Sequence, residues 1–172
     1  MKHPVIIVAY NPRWPALYEE EKSRILGLIG DKVVAIEHVG STAVPGLGAK
    51  PIIDITIAVH RLADAEECIE LLLTIGYEYK PPDRVGIPER RFFDKGPPGA
   101  STYHIHMVEL TSDFWERHLL FRDFLRAHPE VAEQYYELKK GLAAKYGEDR
   151  EGYTEGKTSF IEGVVARARA SK

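Results

Sequence analysis

The sequence predicts an α/β (α+β) fold: a mixed β-sheet packed with helices, followed by a C-terminal helical segment. Three observations predict it. Apolar patterning orders the elements as helix, strand, strand, helix, three strands and three helices. Several strands follow one another directly, whereas a doubly wound parallel sheet needs helical crossovers between most strands. The 172 residues suffice for one domain, 1–172, with a real core, and no repeat, low-complexity tract or linker divides them.

The elements follow in order. After Pro12, "RWPALYEEEKSRILGLIG" places Trp14, Leu17, Tyr18, Ile25 and Leu28 on one helical face, with Glu19 and Glu20 outside. "KVVAIEHVG" is a β-branched strand that stops at Gly40. "IIDITIAV" is a second strand, by its length and the flanking Pro51. "LADAEECIELLLTIG" reads as one helix, with Asp64 and Glu67 at capping-box spacing and Gly76 as its C-terminal stop. A short strand and a proline-rich loop occupy "YEYKPPDRVGIPER". "RRFFDKG" and "TYHIHMVEL" are strands joined by the turn "GPPGAS". Three helices close the chain. The first carries Phe114, His118, Phe121 and Leu125 on one face. The second starts at Pro129, buries Val131, Tyr135, Leu138 and Leu142, and ends near Gly147. The third covers roughly Arg150 to Ala170.

Bulk properties exclude several classes. Apolar residues make up 44% and charged residues 28%, as in a soluble globular protein. A net charge of −3 argues against broad neutralisation of a nucleic-acid duplex. The single cysteine, Cys68, forbids an internal disulfide and fits a reducing compartment. The apolar run near the N-terminus is too short for a signal peptide, and no segment approaches the ~20 apolar residues of a membrane span. The expectation is a cytoplasmic protein with no membrane partner.

Chemistry concentrates in "IEHVGSTAVPGLGAKPIIDITIAV", Ile36 to Val59. "GLGAKP" is not a Walker loop: Gly46 and Gly48 are too close, and Pro51 follows Lys50. The dinucleotide fingerprint fails at Pro51, and Ser41 lacks the surroundings of a nucleophile elbow. A phosphate turn remains. Ser41 or Thr42 can cap a short helical turn after Gly40, with free N–H groups for an anion. An ordinary serine-capped turn is the competing reading. Strand alternation puts Asp54, Thr56 and Ala58 on one face, opposite Ile53, Ile55 and Ile57. An acid inside an apolar strand must be paired, hydrogen-bonded or metal-bound.

"EHVGSTAVPGLGAKPIIDI" resembles the GrpB family, and the resemblance continues through "RRFFDKG", "HIHMV", "HLLFRDFLRAHPEVAEQYYELKKGLA" and "Y…GKTSFI". It covers nearly the whole chain and implies a nucleotidyltransferase-like fold. The wider superfamily has a Gly-Gly or Gly-Ser turn, an acid-x-acid strand and a third acid on a later strand. Gly40 and Ser41 match the turn and Asp54 matches the first acid, but Thr56 stands at the second. The resemblance implies Mg²⁺ as cofactor, with Mn²⁺ or Zn²⁺ if imidazoles are ligands.

Other residues can complete such a site. His104 and His106 share one strand face, about 7 Å apart, and suit metal, phosphate or proton transfer. Parity ranks them above Glu109; Asp94 is the other candidate third acid. Lys50, Arg91 and Lys157 are candidate phosphate contacts, with Arg90 and Lys95 beside "FFD". His38 and His118 read as structural histidines. Three functional readings follow. The first is metal-dependent nucleotidyl transfer to an acceptor, with Asp54, His104 and His106 as catalytic or metal-binding residues and Gly40, Ser41, Thr42, Lys50, Arg91 and Lys157 on the ligand. The second is a non-catalytic module for a nucleotide, phosphometabolite, coenzyme A pathway or protein partner. The third is a metal-dependent hydrolase using Asp54, His104 and His106.

Overall fold

A computed structural model describes residues 4–82 and 86–172. Part of the proline-rich loop, 83–85, therefore lies outside the described residues. The chain runs α1 (Trp14–Ile29), β1 (Ala35–Val39), a 3₁₀ turn (Ser41–Ala43), β2 (Ile53–Val59), α2 (Leu62–Glu66), α3 (Ile69–Leu73), β3 (Glu78–Lys80), β4 (Arg91–Lys95), β5 (Tyr103–Glu109), α4 (Asp113–Ala127), α5 (Pro129–Tyr146) and α6 (Arg150–Ala170). The strands form one mixed sheet in the order β1-β2-β5-β4-β3. Only β2 and β5 are parallel; the other neighbours are antiparallel.

The sheet is amphipathic in an unusual sense: one face is apolar and the other carries the chemistry. Ile53, Ile55, Ile57 and Val59 of β2, Ile105 and Met107 of β5 and Phe93 of β4 pack against Trp14, Tyr18, Ile25 and Ile29 of α1, Ala65 of α2 and Leu72 of α3. On the opposite face, Ala58 and Val108 pack against Trp115 of α4. Helices α4, α5 and α6 form a second core around Phe124, Leu125, Val131, Tyr135 and Val164, which takes in Val44 and Leu47 of the loop before β2. The polar stretch of the sheet face is thus left beside these three helices.

Two local expectations change. The helix expected over "LADAEECIELLLTIG" is two short helices, because Cys68 N–H bonds Ala65 O and tightens the chain at the break. Asp64 does not cap it. The helix begins at Leu62, whose N–H donates to Glu109 Oε2 of β5 at 3.2 Å, while Asp64 accepts from Arg61 at 3.2 Å. The signals expected for α5 hold, since Pro129 opens it and Gly147, at φ 55°, ends it; Ser112 caps α4 by accepting from Trp115 N–H. Helix α1 buries an acid that its apolar stripe conceals. Glu21 is fully buried and accepts from Tyr77 Oη at 2.5 Å, Lys95 Nζ at 2.8 Å and Arg24 Nη1 at 2.9 Å.

Candidate functional site

The site begins with Asp54, the second residue of β2. In the sheet register its neighbours are Val39 of β1 and His104 of β5, one step from His106. Because the strands are paired in this register, the three polar side chains emerge on one face. His106 Nε2 lies 2.9 Å from Asp54 Oδ1, and His104 Nδ1 lies 3.7 Å from the same oxygen. Burial alone would raise the Asp54 carboxyl. The His106 hydrogen bond and the neighbouring imidazoles outweigh it and hold the carboxyl well below the usual carboxylate range. His104 is also shifted downward, because burial disfavours its cation more than Asp54 supports it.

Gly40 closes over this acid. Its φ is 74°, a conformation that favours glycine, and a Cβ there would sit 2.8 Å from Asp54 Oδ2. The turn that follows is built differently from the expected capped turn. Gly40 is the residue before it, and neither hydroxyl caps it. Thr42 Oγ1 bonds His38 Nε2 at 2.9 Å and donates to Ile52 O at 3.3 Å. Ser41 Oγ accepts from Lys139 Nζ at 2.8 Å, and the same ammonium donates to Gly48 O at 2.7 Å. Arg126 Nε donates to Ala43 O at 2.9 Å. Side chains of α4 and α5 therefore pin the turn against β2.

A cleft of about 640 Å³ opens between the sheet face and the three C-terminal helices, within the size of ordinary small-molecule sites. Gly40, Ser41, Asp54, His104 and His106 line one wall, and Tyr135, Lys139, Tyr153 and Lys157 the other. Its most informative feature is cationic. Lys50, Lys139 and Lys157 all line it, and Arg90 and Arg117 join them. Lys139 is only 2% exposed and its hydrogen-bond partners are neutral. Burial, then the charges of Lys157 and Lys50, push its ammonium down to about 7. Burial and Lys50 push Lys157 down to about 8. Burial likewise lowers Lys50, against the opposing pull of Asp54. Lys50 and Lys157 flank one ring, with their Nζ atoms 5.3 and 4.6 Å from the Tyr153 centroid. Tyr153 is 1% exposed, and its buried hydroxyl has no hydrogen-bond partner among the described residues.

The structure brings all but one of the expected ligand and metal residues together. Asp54, His104, His106, Gly40, Ser41, Thr42, Lys50 and Lys157 all line the cleft. Arg91 does not. It pairs in register with Met107, on the apolar side of the sheet, and its Nε donates to Glu66 Oε1 of α2 at 2.5 Å. Its neighbour Arg90 supplies the guanidinium that lines the cleft. Glu109 faces away and caps α2, as its parity requires. Asp94 is in register with His104 and accepts from Ser101 Oγ at 3.1 Å. His38 is a buried structural histidine stacked on Tyr18, and burial pushes its ring down to about 4. His118 is satisfied as expected, stacked on Phe114 and bonded to Phe114 O at 2.8 Å, and it also lines the cleft. Lys139 escaped the sequence reading, although it lies four residues after Tyr135 and three before Leu142, on the buried stripe of α5.

The donor set decides what metal could be held. Thr56 stands at the second acid position, is fully buried, and its hydroxyl has no partner among the described residues. One carboxylate and a sealed hydroxyl do not fit a pair of Mg²⁺ ions, which require several hard oxygen ligands. Asp54, His104 and His106 do bring ligand atoms within 4.8 Å of one another. Such a set suits one ion of the Mn²⁺ or Zn²⁺ kind better than Mg²⁺.

The profile of the family described as GrpB protein matches residues 4–167. YqkA of Bacillus subtilis (strain 168) is 40% identical over 171 residues, covering 99% of this chain and 49% of its own length. The chain therefore spans about half of that relative. The crystal structure of conserved protein GrpB from Enterococcus faecalis superposes with a TM-score of 0.86 at 34% identity, covering 95% of this chain and 96% of that one. The Cid1 poly (U) polymerase, bound to MgGTP, superposes with a TM-score of 0.52 at 14% identity, over 79% of this chain and 44% of that one. At that identity the likeness concerns the fold, which is nucleotidyltransferase-like. No helix among the described residues is long and apolar enough to cross a membrane.

Proposed function

The chain belongs to the GrpB protein family, and from that premise we propose that its cleft binds a nucleotide through its phosphates and transfers the nucleotidyl group to an acceptor. One observation carries the reading: Lys50, Lys139 and Lys157 converge on a cleft whose wall also holds the Tyr153 hydroxyl, which has no partner among the described residues. Buried ammonium groups with depressed proton affinity and neutral partners gain most from an anion. A polyphosphate supplies several negative oxygens within one compact ligand, and Tyr153 and Ser41 add neutral hydroxyls.

In the reaction, an acceptor hydroxyl or amine attacks the α-phosphorus in line. A new bond to phosphorus forms, the α–β bridging P–O bond breaks, pyrophosphate leaves and the acceptor proton passes to water. The lysines offset the charge gathering on pyrophosphate, so the protein acts by positioning and electrostatics. No step is assigned to a Mg²⁺ pair, for which the donors are inadequate. Calorimetry with nucleoside triphosphates, with and without Mn²⁺, joined to a pyrophosphate-release assay, tests the proposal. Absence of binding by every nucleotide defeats it.

Thr56 favours a second reading, a non-catalytic nucleotide or phosphometabolite module. With the second acid replaced by a sealed hydroxyl, binding survives while transfer is lost. Saturable binding with no pyrophosphate release across a broad acceptor panel selects this reading over the first.

A further inference from the structure

Hydrogen-bond direction around His106 is determined by its neighbours. Arg90 Nη1 lies 3.1 Å from His106 Nδ1. A guanidinium has donors and no acceptor, so Nδ1 must receive the bond and carry no proton. His106 Nε2 lies 2.9 Å from Asp54 Oδ1. A carboxylate accepts, so Nε2 bears the ring proton and donates it. The series therefore runs Arg90 to His106 to Asp54.

Packing holds this arrangement. The His106 ring lies 5.3 Å from both the Phe92 and Phe114 centroids, and its side chain is 11% exposed. The Arg90 guanidinium sits over the same two rings, at 4.8 and 5.7 Å. Flipping the imidazole would exchange both hydrogen bonds for mismatched ones.

We propose that His106 is a positioning residue rather than a metal ligand. Arg90 and Asp54 fix its tautomer from opposite sides, and His106 anchors Asp54 by Oδ1 so that Oδ2 is the oxygen presented to a cation or acceptor. Oδ2 is the oxygen that a Cβ on Gly40 would strike. The working oxygen consequently points toward the Gly40–Ser41 turn, the side on which Lys139 holds Ser41. Neither nitrogen of His106 has a lone pair to offer, so the apparent cluster of Asp54, His104 and His106 reduces to Asp54 and His104. This assignment rests on the cleft being the site and is independent of nucleotidyl transfer.

The test is long-range ¹H–¹⁵N correlation NMR on the full chain labelled with ¹⁵N-histidine, with the His106 signals assigned by their loss in His106→Gln. The metal-free protein should show a proton on Nε2 and none on Nδ1, and adding Zn²⁺ alone should leave that pattern unchanged. In Arg90→Met, Asp54 still holds the Nε2 proton but Nδ1 loses its donor, so the Nδ1 nitrogen resonance should move downfield, toward that of a nitrogen accepting no hydrogen bond. A proton on Nδ1 in the wild type, or loss of the Nε2 proton with Zn²⁺, overturns the proposal. An Nδ1 resonance unmoved in Arg90→Met shows that Arg90 does not donate to it and overturns the proposal. The wild-type spectra need no Arg90 variant and no nucleotide, so their failure is separate from failure of nucleotide binding.

Discussion

Gly40 and Asp54 occupy one another's space: a Cβ on Gly40 would stand 2.8 Å from Asp54 Oδ2 and 3.2 Å from Asp54 Cβ. The glycine of the turn and the acid of the strand are therefore one structural unit. Gly40→Ala should destabilise the fold by about 1–3 kcal/mol, from the positive φ together with the displaced carboxylate. Gly141→Ala is the contrast, since a Cβ there meets nothing within 4 Å and its helix should gain about 0.5–1 kcal/mol. Urea denaturation of the two variants measures both signs.

Lys139 predicts a pH dependence. Its ammonium is lowered to about 7 in the fold, against an ordinary value of 10.5. The unfolded chain therefore binds more protons between those values, and this group makes stability rise as pH climbs through that window. Ligand binding should move oppositely. Tripolyphosphate affinity should fall as pH rises through about 7, where Lys139 discharges, and about 8, where Lys157 does. Calorimetry over that range should show the lower step disappear in Lys139→Met.

Asp54 is an anion beside the lysines that would hold phosphate. Without metal, Asp54→Asn should tighten tripolyphosphate binding by about fivefold, equivalent to ~1 kcal/mol of relieved repulsion. If a divalent ion recruited by Asp54 carries the binding, the same variant weakens it when Mn²⁺ is present. Titrations with and without Mn²⁺ separate the two contributions.

Glu21 lies across the sheet from the cleft and should affect stability alone. Burial raises its carboxyl, but hydrogen bonds from Lys95, Tyr77 and Arg24 lower it overall. A depressed carboxyl contributes stability above its unfolded value of 4.5 and loses it as pH falls through the lower folded value. Glu21→Ala leaves Tyr77 and Lys95 without their shared acceptor and should cost about 3–5 kcal/mol. Denaturation at neutral pH measures this loss, with tripolyphosphate affinity of the folded fraction unchanged.

Local rules made much of the fold legible. A period of two placed Asp54 and Thr56 on one face and the isoleucines on the other, and the same rule separated His104 and His106 from Glu109. Proline and glycine marked the two ends of α5. Other residues were hidden where one side chain interrupts an apolar stripe. Glu21 and Lys139 both follow helical spacing, seven residues after Trp14 and four after Tyr135, yet a search for apolar positions passes over them. Arg90 and Arg91 are adjacent and chemically alike. Only the pairing of Arg91 with Met107 assigns Arg91 to the apolar side.

The sequence by itself determined the periodicities, the strand face bearing Asp54 and the glycine turn before it, because these depend on backbone geometry within a few residues. Tertiary structure decided which charges lose water. Lys139 becomes a buried cation only when α5 crosses the loop at Ser41 and Gly48. Asp54 becomes an aimed carboxylate only when β5 brings His106, and with it Arg90, alongside β2. Desolvation and hydrogen-bond direction are set by neighbours distant along the chain, and those neighbours assemble the cleft.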